Sequence, residues 1–334
     1  MVTICVDAMG GDESPELVCE GIAKALAEDG DLKVLVAGDE NIVVPFCEKT
    51  ERAVPLVTTE TIGMAEHPAE AVRKKKDSSI VRGCAAVRKG EAQGFFSAGS
   101  TGAIFAAASM GVGRTRGIKR PALAMPMPGL DGHRTVFLDL GANADVRPEM
   151  IVQFAEMGSA YARVALGVAQ PRVGLLSNGE EETKGSEQAL AFHQALVEAN
   201  CGFVGNAEGK DLLLGDFDVI VTDGFTGNVA LKTLEGTGKF ILKAIKAQIE
   251  HSFTGKIGAL LLKPSLMEVR SMLSGDDYGG AILLGLKAPV LIGHGATSVQ
   301  AVASGTRSCA NAVRGGLVDK VASAMQQDAQ QVQS

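Results

Sequence analysis

The chain has 334 residues, 46% hydrophobic and 21% charged, enough for one large α/β core and too balanced for a fibrous or disordered protein. A net charge of −7, no Trp and only two Tyr exclude a base-stacking surface for a polyanion as the main binding face. A small anion in a locally positive pocket stays open.

In chain order, one pattern recurs: a short apolar run, a loop rich in Gly, Asp and Asn, then a helix-like stretch. The runs are "TICVDAMGGD", "VLVAGDE", "GFFSAGSTGA", "TVFLDLGANAD", "VGLLSNGEEETKG", "GFVGNAEGKD", "DVIVTDGFTGN" and "PVLIGHGATS". Continuous rather than alternating apolarity predicts strands covered on both faces, as in a parallel sheet. Ser14-Pro15 opens one helix and Pro148 another, each proline suited to a first turn. The rhythm predicts a Rossmann-like α/β/α sandwich around a mostly parallel sheet. A single domain is expected over 1–322, with a flexible tail over 323–334. Residues 239–274 break the rhythm and are expected to form a helical hairpin, turning at Gly255 and resuming after Pro264.

In such sheets ligands bind outside the carboxyl ends of the strands, so all the Gly-rich loops are expected to converge on one crevice. Glycines let backbone amides approach a ligand, and helix N-termini favour anions, which points to a phosphate or phosphoryl group. The loops offer Asp7, Gly10, Gly11 and Asp12, then Ser97, Gly99, Ser100, Thr101 and Gly102, then Asn143. Further along come Asn178, Glu180, Glu181 and Gly185, then Asn206, Glu208 and Gly209, and finally Asp223, Gly224, Gly227 and Asn228. The same crevice collects acids, Asp139 among them, that would repel an anion. Arg147, Lys184, Lys210, Lys232 and a protonated His294 are the available cations. No P-loop, GxGxxG after a strand, GxSxG elbow or HExxH occurs, and the histidines lie far apart, so neither a metal nor a cofactor is expected. The six cysteines are too scattered for a disulfide framework, and reduced cytosolic thiols are expected. The start shows no leader-like pattern, and no apolar run nears the ~20 residues that span a bilayer.

Taken in order, "VDAMGGD", "SAGSTGA", "LDLGAN", "GEEETKG", "NAEGKD" and "DGFTGNVALKT" closely resemble the PlsX family of phosphate acyltransferases, from about residue 3 to the mid-310s. The resemblance implies a fold similar to isocitrate and isopropylmalate dehydrogenases and to phosphotransacetylase. It implies that inorganic phosphate attacks the thioester of a long-chain acyl carrier protein, giving acyl phosphate for bacterial phospholipid synthesis. Phosphate is then the nucleophile, which accounts for the missing Ser or Cys motif. Lys184 is expected to hold phosphate or the oxyanion, oriented by Glu180 and Glu181, with His294 as a candidate acid for the leaving thiol. The acidic carrier would meet Arg73, Lys74 and Lys75, or Lys256 and Lys263 at the hairpin. Ile257, Leu260, Leu261 and Leu262 have the composition of an interfacial membrane contact or acyl-chain entrance. A cytoplasmic homodimer, peripherally membrane-associated, is implied. Two other readings stay open: a phosphotransacetylase acting on acyl-CoA, and a non-catalytic membrane scaffold.

Overall fold

The structure, a computed structural model, describes residues 1–129, 132–251, 254–255, 258–264, 269, 279–294 and 297–331. Among these, eleven strands form one sheet: β1 (Val2–Asp7), β2 (Leu32–Gly38), β3 (Ala53–Val57), β4 (Gly94–Ser97), β5 (Ala122–Pro128), β6 (Arg134–Leu138), β7 (Val173–Leu176), β8 (Phe203–Ala207), β9 (Val219–Val221), β10 (Ala281–Leu284) and β11 (Val290–Ile292). Their order is β3-β2-β1-β4-β11-β10-β5-β6-β9-β7-β8. Each of the eight apolar runs contributes a strand, and the sheet is mostly parallel as expected.

Helices cover both faces: α1 (Pro15–Glu28), α2 (Glu40–Lys49), α3 (Pro68–Lys74), α4 (Ser79–Arg88), α5 (Thr101–Gly111), α6 (Pro148–Tyr161), α7 (Glu187–Glu198), α8 (Gly224–Glu250), α9 (Val299–Arg314) and α10 (Leu317–Gln331). The two layers can be read from adjacent residues of β4. Phe95 and Phe96 point to opposite faces, as strand geometry requires. Phe95 packs in the layer holding Ile80, Cys84 and Ile104, whereas Phe96 packs with Ile22 and Val302. Each ring is met by a glycine of the covering helix, Gly83 on α4 and Gly305 on α9, where any added Cβ would run into the ring.

Three strands have no counterpart among the apolar runs. β3 is half-exposed, and β5 and β10 are antiparallel insertions at the middle of the sheet. β5 carries Pro126 and Pro128, which read as non-strand in sequence. They fit because β10 pairs only with residues 122–124 of β5, so both prolines face β6 alone. These insertions reverse the sheet. Counted across it, β6, β9, β7 and β8 run opposite to β1, β4 and β11, so the Gly-rich loops do not leave one common edge.

The long helix also corrects the expectation for the insertion. α8 begins at Gly224, ahead of Lys239, and helical backbone recurs at 254–255, where a turn was expected, over 258–264 and at Val269. The tail, expected to be loose, continues α10 to Gln331.

Gly305→Ala should lower the unfolding free energy by about 1–3 kcal/mol, because a fully packed ring must shift. A lower urea midpoint with an unchanged m-value would show it.

Candidate functional site

The chain steps outward from β1 to β2 to β3, then returns to place β4 on the other side of β1. Such a switch point opens a crevice outside the strand ends. Asp7 and Ser97 end the two strands there. Both are buried, and Ser97 Oγ donates to Asp7 Oδ2 at 2.7 Å while accepting from Gly99 N at 3.0 Å. Met9 N donates to Asp7 Oδ1 at 3.0 Å. Burial pushes the Asp7 carboxyl up, against the hydrogen bonds from Ser97, Ser79 and the Met9 and Gly10 amides. Gly10 lies over this pair: a Cβ would sit 2.5 Å from Asp7 Oδ2 and 2.9 Å from Gly99 N. The neighbouring turn needs Gly11 at φ 110°. Asp12, by contrast, is exposed.

Beyond β4, Ser100 is the N-cap residue of α5, and its side chain makes no capping hydrogen bond. Thr101 and Gly102 form the first turn, which carries no acidic residue. Alongside, β11 pairs with β4, and Gly293 N donates to Ser97 O at 2.9 Å, placing His294 next to this loop.

A second cluster forms at the ends of β6 and β9. Asp139 is fully buried and accepts from Leu123 N, Gly141 N, Ala142 N, Asn143 N and Asn143 Nδ2 at 2.7–3.3 Å. Burial pushes its carboxyl up, against those donors. Asn143, expected at the substrate, is buried, its Nδ2 also donating to Pro121 O at 2.8 Å while its Oδ1 has no hydrogen-bond partner among the described residues. Asp223 is the N-cap of α8, accepting from Thr226 N and Oγ1, both at 2.8 Å. Gly224 N donates to Asn143 O at 2.8 Å, and a Cβ at Gly227 would run into Asp139 O. Asn228 lies beside Gly141.

The glutamate–lysine cluster sits apart, at the switch where β7 leads outward to β8 and β9 returns inward. Glu180 pairs with Lys210 at 2.8 Å, not with Lys184, and Lys210 also meets Glu208 at 2.7 Å. Lys210 holds the Glu180 carboxyl below the usual range by hydrogen bond and charge. Lys184 is exposed and makes no ion pair among the described residues. Its amide donates to Glu181 O at 3.0 Å. Gly185 turns this loop at φ 115°, Gly209 opens the helical turn that Glu208 caps, and Asn178 is exposed. Asn206, expected at the substrate, is a buried brace. Its Oδ1 lies 2.9 Å from His193 Nδ1, and its Nδ2 donates to Glu181 O at 2.8 Å.

One bridge joins the halves. Three turns along α8, Lys232 Nζ lies 2.9 Å from Glu235 Oε2 and 3.0 Å from His294 Nε2, which in turn lies 3.1 Å from both Glu235 oxygens. Burial works against ionising Glu235, but the hydrogen bonds from His294 and Lys232 outweigh it and hold the carboxyl at about 2. Glu235 is the member the sequence reading missed. Its signal was the i,i+3 spacing from Lys232, with His294 far away in sequence.

The basic run is less available than expected. Lys75 donates to Thr61 O at 2.7 Å and Glu66 at 2.6 Å, and Lys74 pairs with Glu70, leaving exposed Arg73. Leu260, Leu261, Leu262 and Lys263 are exposed in the 258–264 helix, and Lys256 and Ile257 lie outside the described residues. No group of three or more metal-ligating side chains occurs among the described residues.

Residues 2–320 match the family described as "Fatty acid synthesis protein". The phosphate acyltransferase of Geobacillus thermodenitrificans is 43% identical over 320 residues, covering 96% of this chain and 98% of that protein. The phosphate acyltransferase of Bacillus cereus is 44% identical over 328 residues, covering 98% and 99%. In fold, a phosphotransacetylase from Streptococcus pyogenes superimposes with a TM-score of 0.59 at 16% identity, covering 94% of each chain. A branched-chain phosphotransacylase from Enterococcus faecalis gives 0.56 at 15%, covering 94% and 100%. The chain belongs to the PlsX family of phosphate acyltransferases and is an acyltransferase.

Asp139→Asn turns one oxygen into a donor facing donors and should cost about 1–3 kcal/mol in urea unfolding at neutral pH. Glu235 has its folded value lowered, to about 2 from 4.5. Its contribution to stability is therefore full above about pH 4.5 and lost as pH falls towards 2. The stability gap between wild type and Glu235→Gln should close over that window, which unfolding curves at stepped pH would reveal.

Proposed function

We propose that this acyltransferase moves a long-chain acyl group from acyl carrier protein to inorganic phosphate, releasing acyl phosphate for bacterial phospholipid synthesis. The observation that carries this reading is the open start of α5 at the β1/β4 switch. The starts of α1, α7, α8 and α9 are capped by Ser14, Ser186, Asp223 and Ser298. α3 and α6 place Glu70 and Glu149 in their first turns. α4 also starts without a side-chain cap, but its Ser79 hydroxyl is engaged by Asp7. Among the described helices, α5 shares with α4 a first turn with neither a side-chain cap nor an acid, and α5 is the one that follows β4 at the switch, which favours an anion there.

Phosphate held by those amides and by the Gly10–Gly11 and Gly99 backbone attacks the thioester carbon. Neither Ser97 nor the buried cysteines offer a competing nucleophile. Ser97 is buried and its hydroxyl is engaged by Asp7. Burial pushes the Cys5, Cys84 and Cys309 thiols up, away from thiolate. Catalysis is then positioning plus electrostatic stabilisation of the tetrahedral oxyanion. Lys232, beside the β4 loop, is the cation for that work, and His294 is the candidate acid for the leaving thiol.

A long chain rather than an acetyl group suits the apolar surface beside the site. Phe225 and Phe240 on α8 are 68% and 70% exposed, and Leu261 is 77% exposed in the 258–264 helix. These faces are of the kind that lies on a lipid surface or meets a second copy of the chain. No described helix is long and apolar enough to cross a membrane, so such contact would be peripheral.

The test is phosphate-dependent release of free carrier from palmitoyl-carrier, with acyl phosphate trapped by hydroxylamine. Gly10→Ala should raise the KM for phosphate at least tenfold, and Lys232→Ala should lower kcat/KM by about 10²–10³. Failure of the wild type to form acyl hydroxamate would sink the reading.

A further inference from the structure

Glu235 reaches the site from the third turn of α8, where Ala230, Leu231 and Leu234 pack against the core. Beyond residue 238 most of α8 is exposed, and the contact with His294 links its third turn to the β11 loop. The carboxylate faces two cationic partners at once. Lys232 Nζ lies 2.9 Å from Oε2, and His294 Nε2 lies 3.1 Å from each oxygen. Lys232 and His294 are themselves only 3.0 Å apart.

Remove the carboxylate and the outcome for the ring is set by charge. An ammonium 3.0 Å from Nε2 disfavours a second positive charge on the imidazole, and it donates to Nε2 instead. With the carboxylate present, Nε2–H has an acceptor and the imidazolium has a counter-charge. The other ring nitrogen, Nδ1, has no hydrogen bond among the described residues.

We propose that Glu235 is a positioning residue for the acyl transfer, orienting and charging His294 so that its Nδ1–H protonates the departing thiolate. This rests on the function proposed above. The step balances. A phosphate oxygen bonds to the acyl carbon, the carbon–sulfur bond breaks with its electron pair going to sulfur, and sulfur takes the Nδ1 proton. The proton carried in by hydrogen phosphate restores the imidazolium, so the products are acyl phosphate and free thiol. Glu235 keeps its charge throughout, and Lys232 remains an ammonium. Gly293 N is bonded to Ser97 O, which brings the His294 backbone beside the loop that leads into α5.

A general acid matters in proportion to the basicity of the leaving group. The test compares two acyl donors, palmitoyl-carrier with its alkyl thiol and a palmitoyl aryl thioester whose thiol leaves without protonation. Glu235→Gln should lower kcat with the alkyl donor about 100-fold and with the aryl donor less than threefold, with the KM for phosphate near wild type. His294→Ala should show the same split, and Glu235→Asp should recover part of the alkyl rate. Equal losses with both donors would make Glu235 merely structural and overturn the proposal, as would full alkyl activity in Glu235→Gln. A wild type that forms no acyl phosphate from either donor would strike at the proposed function instead.

Discussion

Two buried carboxylates organise this molecule. Asp7 ends β1 and Asp139 follows β6, the first strand of each half, and each collects the amides of the loop that comes after it. A buried charge is tolerated only when donors surround it, so these acids oblige the loops to curl inward. Met9, Gly141, Ala142 and Asn143 have their amides turned onto a carboxylate, and the glycines beside them are where the chain comes too close for a side chain. The conflict between many acids and an anion site dissolves here. Asp7 and Asp139 face the loops, Asp223 caps a helix, and Glu180 and Glu208 hold Lys210.

The second constraint is the reversal of the sheet. Because β5 and β10 run antiparallel in its middle, loops of the two halves would stay separate without a connecting element. α8 supplies it. Its first turn packs on the Asp139 loop through Gly224 and Gly227, and its third turn meets His294 beside the β4 loop. A helix rises about 1.5 Å per residue, so the eleven steps from Gly224 to Glu235 cover roughly 16 Å, the width of several strands. A half-polar, half-apolar helix thus serves both as the bridge of the site and as its most exposed apolar surface.

Legibility followed the range of the interactions involved. The apolar runs were readable because a strand covered on both faces must be apolar throughout, and "GFFS" shows it with Phe95 and Phe96 in opposite layers. β5 was not readable, since its prolines are acceptable only because β10 stops short of them. Lys184 drew attention as the lysine within the glutamate run, yet Glu180 turns to Lys210, thirty residues away in a different loop. Asn143 and Asn206 looked like ligand groups, and both are buried with Nδ2 donating to the backbone, a distinction that depends on which way each amide points.

By itself the sequence determined the strand–loop–helix rhythm, the α/β class, the glycines at the loop turns and the family motifs, all of which rest on local periodicity and short-range backbone geometry. Only the tertiary structure decided which charges meet. Strand direction, the pairing of Glu235 with His294, the capture of Lys75 by Glu66 and the uncapped start of α5 arise between segments far apart in the chain. Such contacts are set by how helices cross the sheet, and no spacing along the sequence encodes that.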